Sequence, residues 1–294
     1  MESFTARAPG KVILLGEHAV VYGQPALALP LDRGVTVTCT PASKLELIDP
    51  PPTGAEALLE ALGEVATALK TTAGVRITSE LPLGAGLGSS AAVAVAATRA
   101  LASLAGRTLS EDEVLAFAEG MERSFHGRPS GVDHTTCLVA RPLRFQRGTP
   151  NQVTPIQVGS FALVISHAGA RATNTRERVL ALRDRHEREP QSLEPLFSEV
   201  GALVEQAQGA VLHGRLAELG SAMNRNQEIL AELGMSTARI DVICARMREL
   251  GARGAKLTGA GGGGAVIAVH PDPEALAESL TDWGAPSFVA RWKE

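Results

Sequence analysis

Aromatic residues are scarce in this 294-residue chain: 7 Phe, 2 Trp and 1 Tyr, or 3%. A protein that grips nucleic-acid bases by stacking needs more of them, which argues against that class. A basic excess is missing as well. Lys and Arg total 28 against 32 Asp and Glu, a net charge of −4, without the electrostatic footprint of a duplex binder. Cysteine is limited to Cys39, Cys137 and Cys244, far apart and without a CxxC pair. That spacing offers no thiolate metal site and predicts buried free thiols in a reducing compartment. Long apolar runs are absent too. Val12–Leu15 is cut by Gly16-Glu17-His18, and Ala91–Ala97 by Thr98-Arg99, too short for a secretory apolar region or a membrane span. The expectation is a soluble, cytoplasmic protein with neither nucleic-acid nor membrane partners.

What is present suffices for one large or two ordinary domains, at roughly 150 residues each. Short β-branched runs at 12–15, 35–39 and 75–78 predict strands, and helices are predicted near 55–70, 89–105 and 111–126. The last opens on Ser110-Glu-Asp-Glu113, a capping box that satisfies orphan amides. Beyond residue 150 a strand at 161–165 precedes helices near 175–188, 192–212, 214–233 and 236–250. A strand at 265–269, a helix at 273–283 and a strand at 287–292 close the chain. This order predicts an α+β protein of two domains, 1–155 and 156–294, divided where Gly148-Thr-Pro150 and Pro155 break the pattern.

Three glycine-rich passages carry the strongest local signals. In Pro82-Leu-Gly-Ala-Gly-Leu-Gly-Ser-Ser-Ala-Ala92, Gly84, Gly86 and Gly88 let backbone amides approach a ligand without Cβ obstruction. The helix that follows offers unpaired N–H groups to an anion, and Ser89 and Ser90 add hydroxyls for phosphate or magnesium. A Ser-Ser pair replaces the Lys-[Ser/Thr] of a Walker A loop. The second passage, Lys256-Leu-Thr-Gly-Ala-Gly-Gly-Gly-Gly264, contains GxGxxG at 259–264, but a strand follows it, not the helix a dinucleotide fold requires. It either backs the phosphate loop or serves as a structural turn. In the third, Ala8-Pro-Gly-Lys-Val-Ile-Leu-Leu-Gly-Glu-His-Ala-Val-Val-Tyr-Gly23, Lys11 sits at a glycine turn and Glu17-His18 at a strand end.

Among the carboxylates, Glu122 shares a helix face with Glu119, Arg123 and His126. It is either a magnesium ligand or an exposed helix residue. Asp133 is either a general base or the partner of the Ser130 amide in a second capping box. His126 and His134 match no zinc spacing and read as ordinary site-lining or surface histidines. The Arg171–Arg188 segment fits a solvated helix with Arg183–Glu187, Asp184–Arg188 and Arg185–Glu189 pairs. Arg171 and Asn174-Thr-Arg176 remain candidates for holding an acidic substrate.

Together these passages resemble the superfamily of galactokinase, homoserine kinase, mevalonate kinase and phosphomevalonate kinase, and within it the mevalonate kinase family. The Ala8–Gly23 motif with its Glu-His after Lys11, Glu122–Asp133 with the intervening His-Gly-x-Pro-Ser-Gly-Val, Asn174-Thr-Arg176, and Asn224-x-x-Gln227 with Leu233-Gly-Met-Ser-Thr237 carry the narrower likeness. The resemblance implies an N-terminal domain like ribosomal protein S5 domain 2 and a ferredoxin-like C-terminal domain, with ATP and substrate between them. It implies ATP-dependent phosphorylation of the C5 hydroxyl of mevalonate, with Mg²⁺ held by Ser90 and Glu122. Asp133 would be the base, and Lys11 would stabilise developing charge. Gly84, Gly86, Gly88, Ser89, Ser90, Thr258, Gly259 and Gly261 would hold the nucleotide. Lys11, Glu17, His18 and Thr175 would hold mevalonate, and a homodimer is one assembly the family admits. With so few aromatics, adenine is expected to rest on aliphatic side chains and backbone. Two rivals are a sibling small-molecule kinase with another acceptor and a non-catalytic sensor on the same fold; the presence of Asp133 and Lys11 argues against the sensor.

Overall fold

The computed structural model describes residues 2–82, 84–126, 129–169 and 175–293. Among them the elements run β1 (Phe4–Leu15), a 3-10 turn (Ala19–Tyr22), β2 (Pro25–Pro41), β3 (Glu46–Ile48), α1 (Ala55–Leu69), β4 (Ala73–Ser79), α2 (Ser89–Leu104), α3 (Glu111–His126), α4 (Val132–Val139), β5 (Leu143–Gln146), β6 (Gln152–Pro155), β7 (Phe161–His167), α5 (Thr175–Arg188), α6 (Pro190–Leu212), α7 (Leu216–Glu232), α8 (Ala238–Glu249), β8 (Gly254–Thr258), β9 (Ala265–Val269), α9 (Pro273–Asp282) and β10 (Ser287–Trp292). The class is α+β, as the sequence pattern indicates. No helix among the described residues is long and apolar enough to cross a membrane.

Two units divide the chain. The first comprises Met1–Lys11, Asp32–Leu81 and Gly88–Ala140, and the second Val12–Leu31, Pro82–Leu87 and Arg141–Glu294. In the first unit the later half of β2 pairs antiparallel with β4, and β3 lies parallel on the other side of β4. Helix α2 packs against α1, α3, α4 and β4. Its run from Ala91 to Ala97 is buried throughout because alanine and valine let several elements approach one helix closely. The apolar stretch in the sequence is therefore a core helix. Helix α3 starts on the expected reciprocal cap: Glu113 N donates to Ser110 Oγ at 3.2 Å and Ser110 N to Glu113 Oε2 at 2.8 Å.

In the second unit the first residues of β2 pair with β5, and β5 pairs with β6. A separate four-stranded antiparallel sheet has the order β10-β7-β9-β8. Val164, Leu257 and Val266 from this sheet share one apolar cluster with Phe197, Ile229, Ile243 and Leu280 from α6–α9. The alternate residues of β8, including Lys256 and Thr258, are thereby turned to its other side. This alternation places two polar side chains where β1 and the Glu17-His18 turn meet them.

Candidate active site

The first unit holds six of the expected site residues: Lys11, Gly88, Ser89, Ser90, Glu122 and Asp133. Lys11 is almost fully buried, and its Nζ lies 2.9 Å from Asp133 Oδ1. Gly88 makes room for the lysine stem: a Cβ there would sit 2.8 Å from Lys11 Cγ, and the glycine's φ of +77 disfavours any other residue. The same glycine is the N-cap of α2, so the lysine runs beside the point where the glycine-rich passage becomes a helix. Asp133 lies in the first turn of α4, whose N-cap is Gly131. Ser130 Oγ accepts from Val132 N at 3.4 Å. Asp133 therefore forms an ion pair with Lys11 across the starts of α4 and α2.

Ser90, in the first turn of α2, donates its hydroxyl hydrogen bond to the Glu122 carboxylate. Glu122 is only 2% exposed, which rules out the exposed-helix alternative. Burial first, then the negative charge of Asp133, pushes its pKa up to about 7, against the Ser90 hydrogen bond and the Lys11 charge. A hydroxyl and a buried carboxylate are hard oxygen donors. Together they suit a divalent cation that keeps water and phosphate oxygens in its remaining positions, and a cation there would favour ionised Glu122. Among the described residues no three His, Cys, Asp or Glu side chains form a self-sufficient metal site. Glu122→Gln is therefore expected to leave the melting temperature unchanged or higher, because it removes an unfavourable buried charge. The same change should raise the Mg²⁺ concentration needed for half-maximal turnover by about tenfold or more. An unchanged Mg²⁺ titration would remove Glu122 from the metal shell.

Two neighbours complete this surrounding. His134 is only 2% exposed, so it is a core histidine, and burial pushes its pKa down while Asp133 and Glu119 oppose that shift. Cys137, one turn after Asp133, donates its thiol to Gly88 O at 3.8 Å, which ties α4 to the start of α2. No motif in the sequence signals either contact. All three cysteines are buried and free, as expected, and burial raises the pKa of each thiol, that of Cys39 to about 12. Gly84, Gly86 and Gly88 all have positive φ, the alternation that only glycine adopts readily. Ser89 opens α2 half-buried. The side chains of His126 and Thr175, and residues Arg171 and Asn174, lie outside the described residues.

The second unit joins the Glu17-His18 turn to the glycine-rich passage after β8. Lys256 Nζ donates to Glu17 Oε1 at 2.5 Å and to Leu257 O at 2.6 Å, with both charged side chains at most 1% exposed. Thr258 Oγ1 accepts from Ile13 N at 2.9 Å and donates to Ile13 O at 3.0 Å. His18 holds a positive φ of 60, and its Nε2 lies 3.2 Å from Ala260 O. Two residues expected to touch ligands, Glu17 and Thr258, are therefore engaged inside the protein, because a buried charge and a buried hydroxyl need partners. Lys256 is absent from the expected site residues, although a lysine inside an apolar strand itself signals a buried anionic partner. Gly259 and Gly261 both carry positive φ in the turn between β8 and β9.

Helix α7 supports the same strand. Gln227 Oε1 accepts from Leu257 N at 2.9 Å and Asn224 Oδ1 from Ala255 N at 3.1 Å. Gln227 Nε2 also reaches Ser236 Oγ at 3.0 Å, and Ser236 donates to Asp241 Oδ1 at 2.6 Å. The Asn224-x-x-Gln227 spacing thus pins the edge of β8 to α7. On α5 the Arg183–Glu187 and Arg185–Glu189 pairs form, whereas Arg188 Nε reaches the backbone oxygen of Asp184 instead of its carboxylate.

Two family models match the chain: the GHMP kinases N terminal domain over residues 53–141 and the GHMP kinases C terminal over residues 206–285. The mevalonate kinase of Thermococcus onnurineus is 33% identical, the match spanning 97% of this chain and 95% of that protein. The chain belongs to the mevalonate kinase family. The Pyrococcus horikoshii member of that family is 35% identical over 90% of this chain and 88% of its own. Among solved structures, the L. major mevalonate kinase in complex with R-mevalonate is similar with a TM-score of 0.85 and 26% identity, covering 98% of this chain and 95% of that one.

Proposed function

We infer that the chain phosphorylates the C5 hydroxyl of mevalonate with ATP, giving 5-phosphomevalonate and ADP for isoprenoid precursor synthesis. The observation that carries this reading is the Lys11–Asp133 ion pair packed against Gly88 at the start of α2. Asp133 accepts the proton of the attacking hydroxyl, and its ion pair with Lys11 holds the carboxylate in place for that task. Phosphoryl transfer spreads negative charge over the moving group, so catalysis is mainly positioning and electrostatic stabilisation. Gly84, Gly86, Gly88 and Ser89 offer amides and a hydroxyl to the phosphates, and the α2 N-terminus adds its dipole. Lys11 supplies a fixed positive charge, which is worth most where water is excluded. Ser90 and Glu122 would hold Mg²⁺, which when bound would neutralise charge on the phosphates.

In the second unit, His18 and Thr175 are assigned to the acceptor, and Gly259 and Gly261 to the nucleotide. Glu17 and Thr258 serve by holding the turn and the glycine passage in shape. We further assign residues 1–155 to an S5 domain 2-like domain bearing the ATP-binding and catalytic groups. Residues 156–294 are assigned to a ferredoxin-like domain on the substrate side, supported by an antiparallel sheet with helices on one face. A cytoplasmic location belongs to the same proposal.

A panel of acceptors with Mg-ATP and ADP detection tests the reading. Turnover with mevalonate well above that with phosphomevalonate, homoserine or galactose is expected. Preferred turnover of any of the others would overturn the acceptor assignment.

A further inference from the structure

Gly262 has a φ of +74, and its Cα carries a neighbour to which no family motif in the sequence points. A Cβ at this position would overlap Arg178 Nε and lie 2.6 Å from its Cζ, so the guanidinium rests directly against the glycine. Arg178 comes from the first turn of α5, and its Nη1 also donates to Gly234 O at 3.0 Å. Gly234 and Met235 form the turn between α7 and α8. Met235 O in turn accepts from Gly262 N at 3.0 Å, and a Cβ on Gly261 would overlap that same oxygen. The stretch 261–262 is therefore held on one side by the α7–α8 turn and on the other by Arg178, which itself bonds that turn. At the far end of the passage, Ala168 N donates to Gly264 O at 2.7 Å and Gly264 N to Gly169 O at 3.0 Å. These bonds secure the 264 end through the residues that follow β7.

A glycine run has many accessible backbone states, so something outside it must select one. Backbone bonds select the conformation at Gly264. At Gly262 one backbone bond to Met235 O is joined by a planar group that covers the Cα and donates to the facing turn at once. A lysine has neither the plane nor the fork for both contacts. On a charge-rich helix, Arg178 reads in the sequence as one more solvated arginine.

We propose that Arg178 is a positioning residue that fixes the 259–264 glycine passage in its nucleotide-binding shape. This rests on the assignment of Gly259 and Gly261 to the nucleotide. The test uses the full chain with Arg178→Ala and Arg178→Lys, measuring ATP affinity by calorimetry beside steady-state kinetics and melting temperature. Both variants should bind ATP about tenfold more weakly, equivalent to about 1.4 kcal/mol. Their kcat at saturating ATP should stay within about twofold of the parent, since Arg178 is assigned no part in the chemical step. Added guanidinium ion should restore part of the affinity of Arg178→Ala. Parental affinity in Arg178→Ala would overturn the proposal. Full recovery in Arg178→Lys would overturn it too, because charge alone would then suffice. If Arg178→Ala does not fold, the Arg178→Lys comparison decides alone. Should the parent bind ATP with this arginine dependence but leave mevalonate untouched, the acceptor reading falls and the positioning role stands. Normal mevalonate turnover with ATP affinity indifferent to Arg178 would instead overturn the positioning role and leave the acceptor reading intact.

Discussion

Asp133→Asn is expected to lower kcat by about 10²–10⁴-fold, the range over which a positioned base contributes, with ATP affinity and melting temperature little changed. Asparagine keeps the shape of the side chain and an oxygen for Lys11, so the loss isolates the proton-accepting role. Asp133→Ala should lose activity to a similar extent. It should also cost stability, because it strips the facing carboxylate from a lysine that is only 1% exposed. The measurement is kcat beside nucleotide binding and thermal unfolding of both variants. Near-normal kcat in Asp133→Asn would mean that the carboxylate only anchors Lys11.

Lys11→Met carries the second large effect. Methionine follows the apolar course of the lysine stem past Gly88 but carries no charge, so kcat should fall on the order of 10²–10³-fold. Stability should move the other way or not at all. Replacing one member of a buried ion pair by an apolar side chain removes a desolvated charge, while Asp133, with a side chain 37% exposed, can turn to water. A drop in melting temperature with kcat intact would show that the lysine holds the fold and leaves the chemistry to other groups. The two outcomes separate cleanly.

Much of the fold is legible in the sequence because local chemistry and tertiary role coincide. The capping box at Ser110 starts α3 where expected, and strands form at 265–269 and 287–292 as the order of elements predicts. Other strands escape such reading for physical reasons. β6 is exposed at all four positions and has no apolar alternation to read, and β3 is only three residues long. The pattern predicts β2 only at 35–39, because its earlier residues are buried on both faces and show no period of two.

The site is legible in parts. In the first unit Lys11 Nζ lies 2.9 Å from Asp133 Oδ1, and the buried Glu122 carboxylate accepts from Ser90. Burial is harder to foresee. Glu17 lies at a strand end, where polar residues often line a site, and the family resemblance places Thr258 with the nucleotide. Their partners, Lys256 and the Ile13 backbone, each stand more than two hundred residues away in sequence. Arg178 likewise owes its task to a glycine on a distant turn.

All the roles assigned to the site converge on a single transfer, from ATP to the C5 oxygen of mevalonate. Product analysis by phosphorus NMR and mass spectrometry, with mevalonate and Mg-ATP supplied, tests that transfer most directly. One phosphate monoester on C5 for each ADP formed is the predicted result. ADP released with inorganic phosphate and unaltered mevalonate, or phosphate carried on another oxygen, would contradict it.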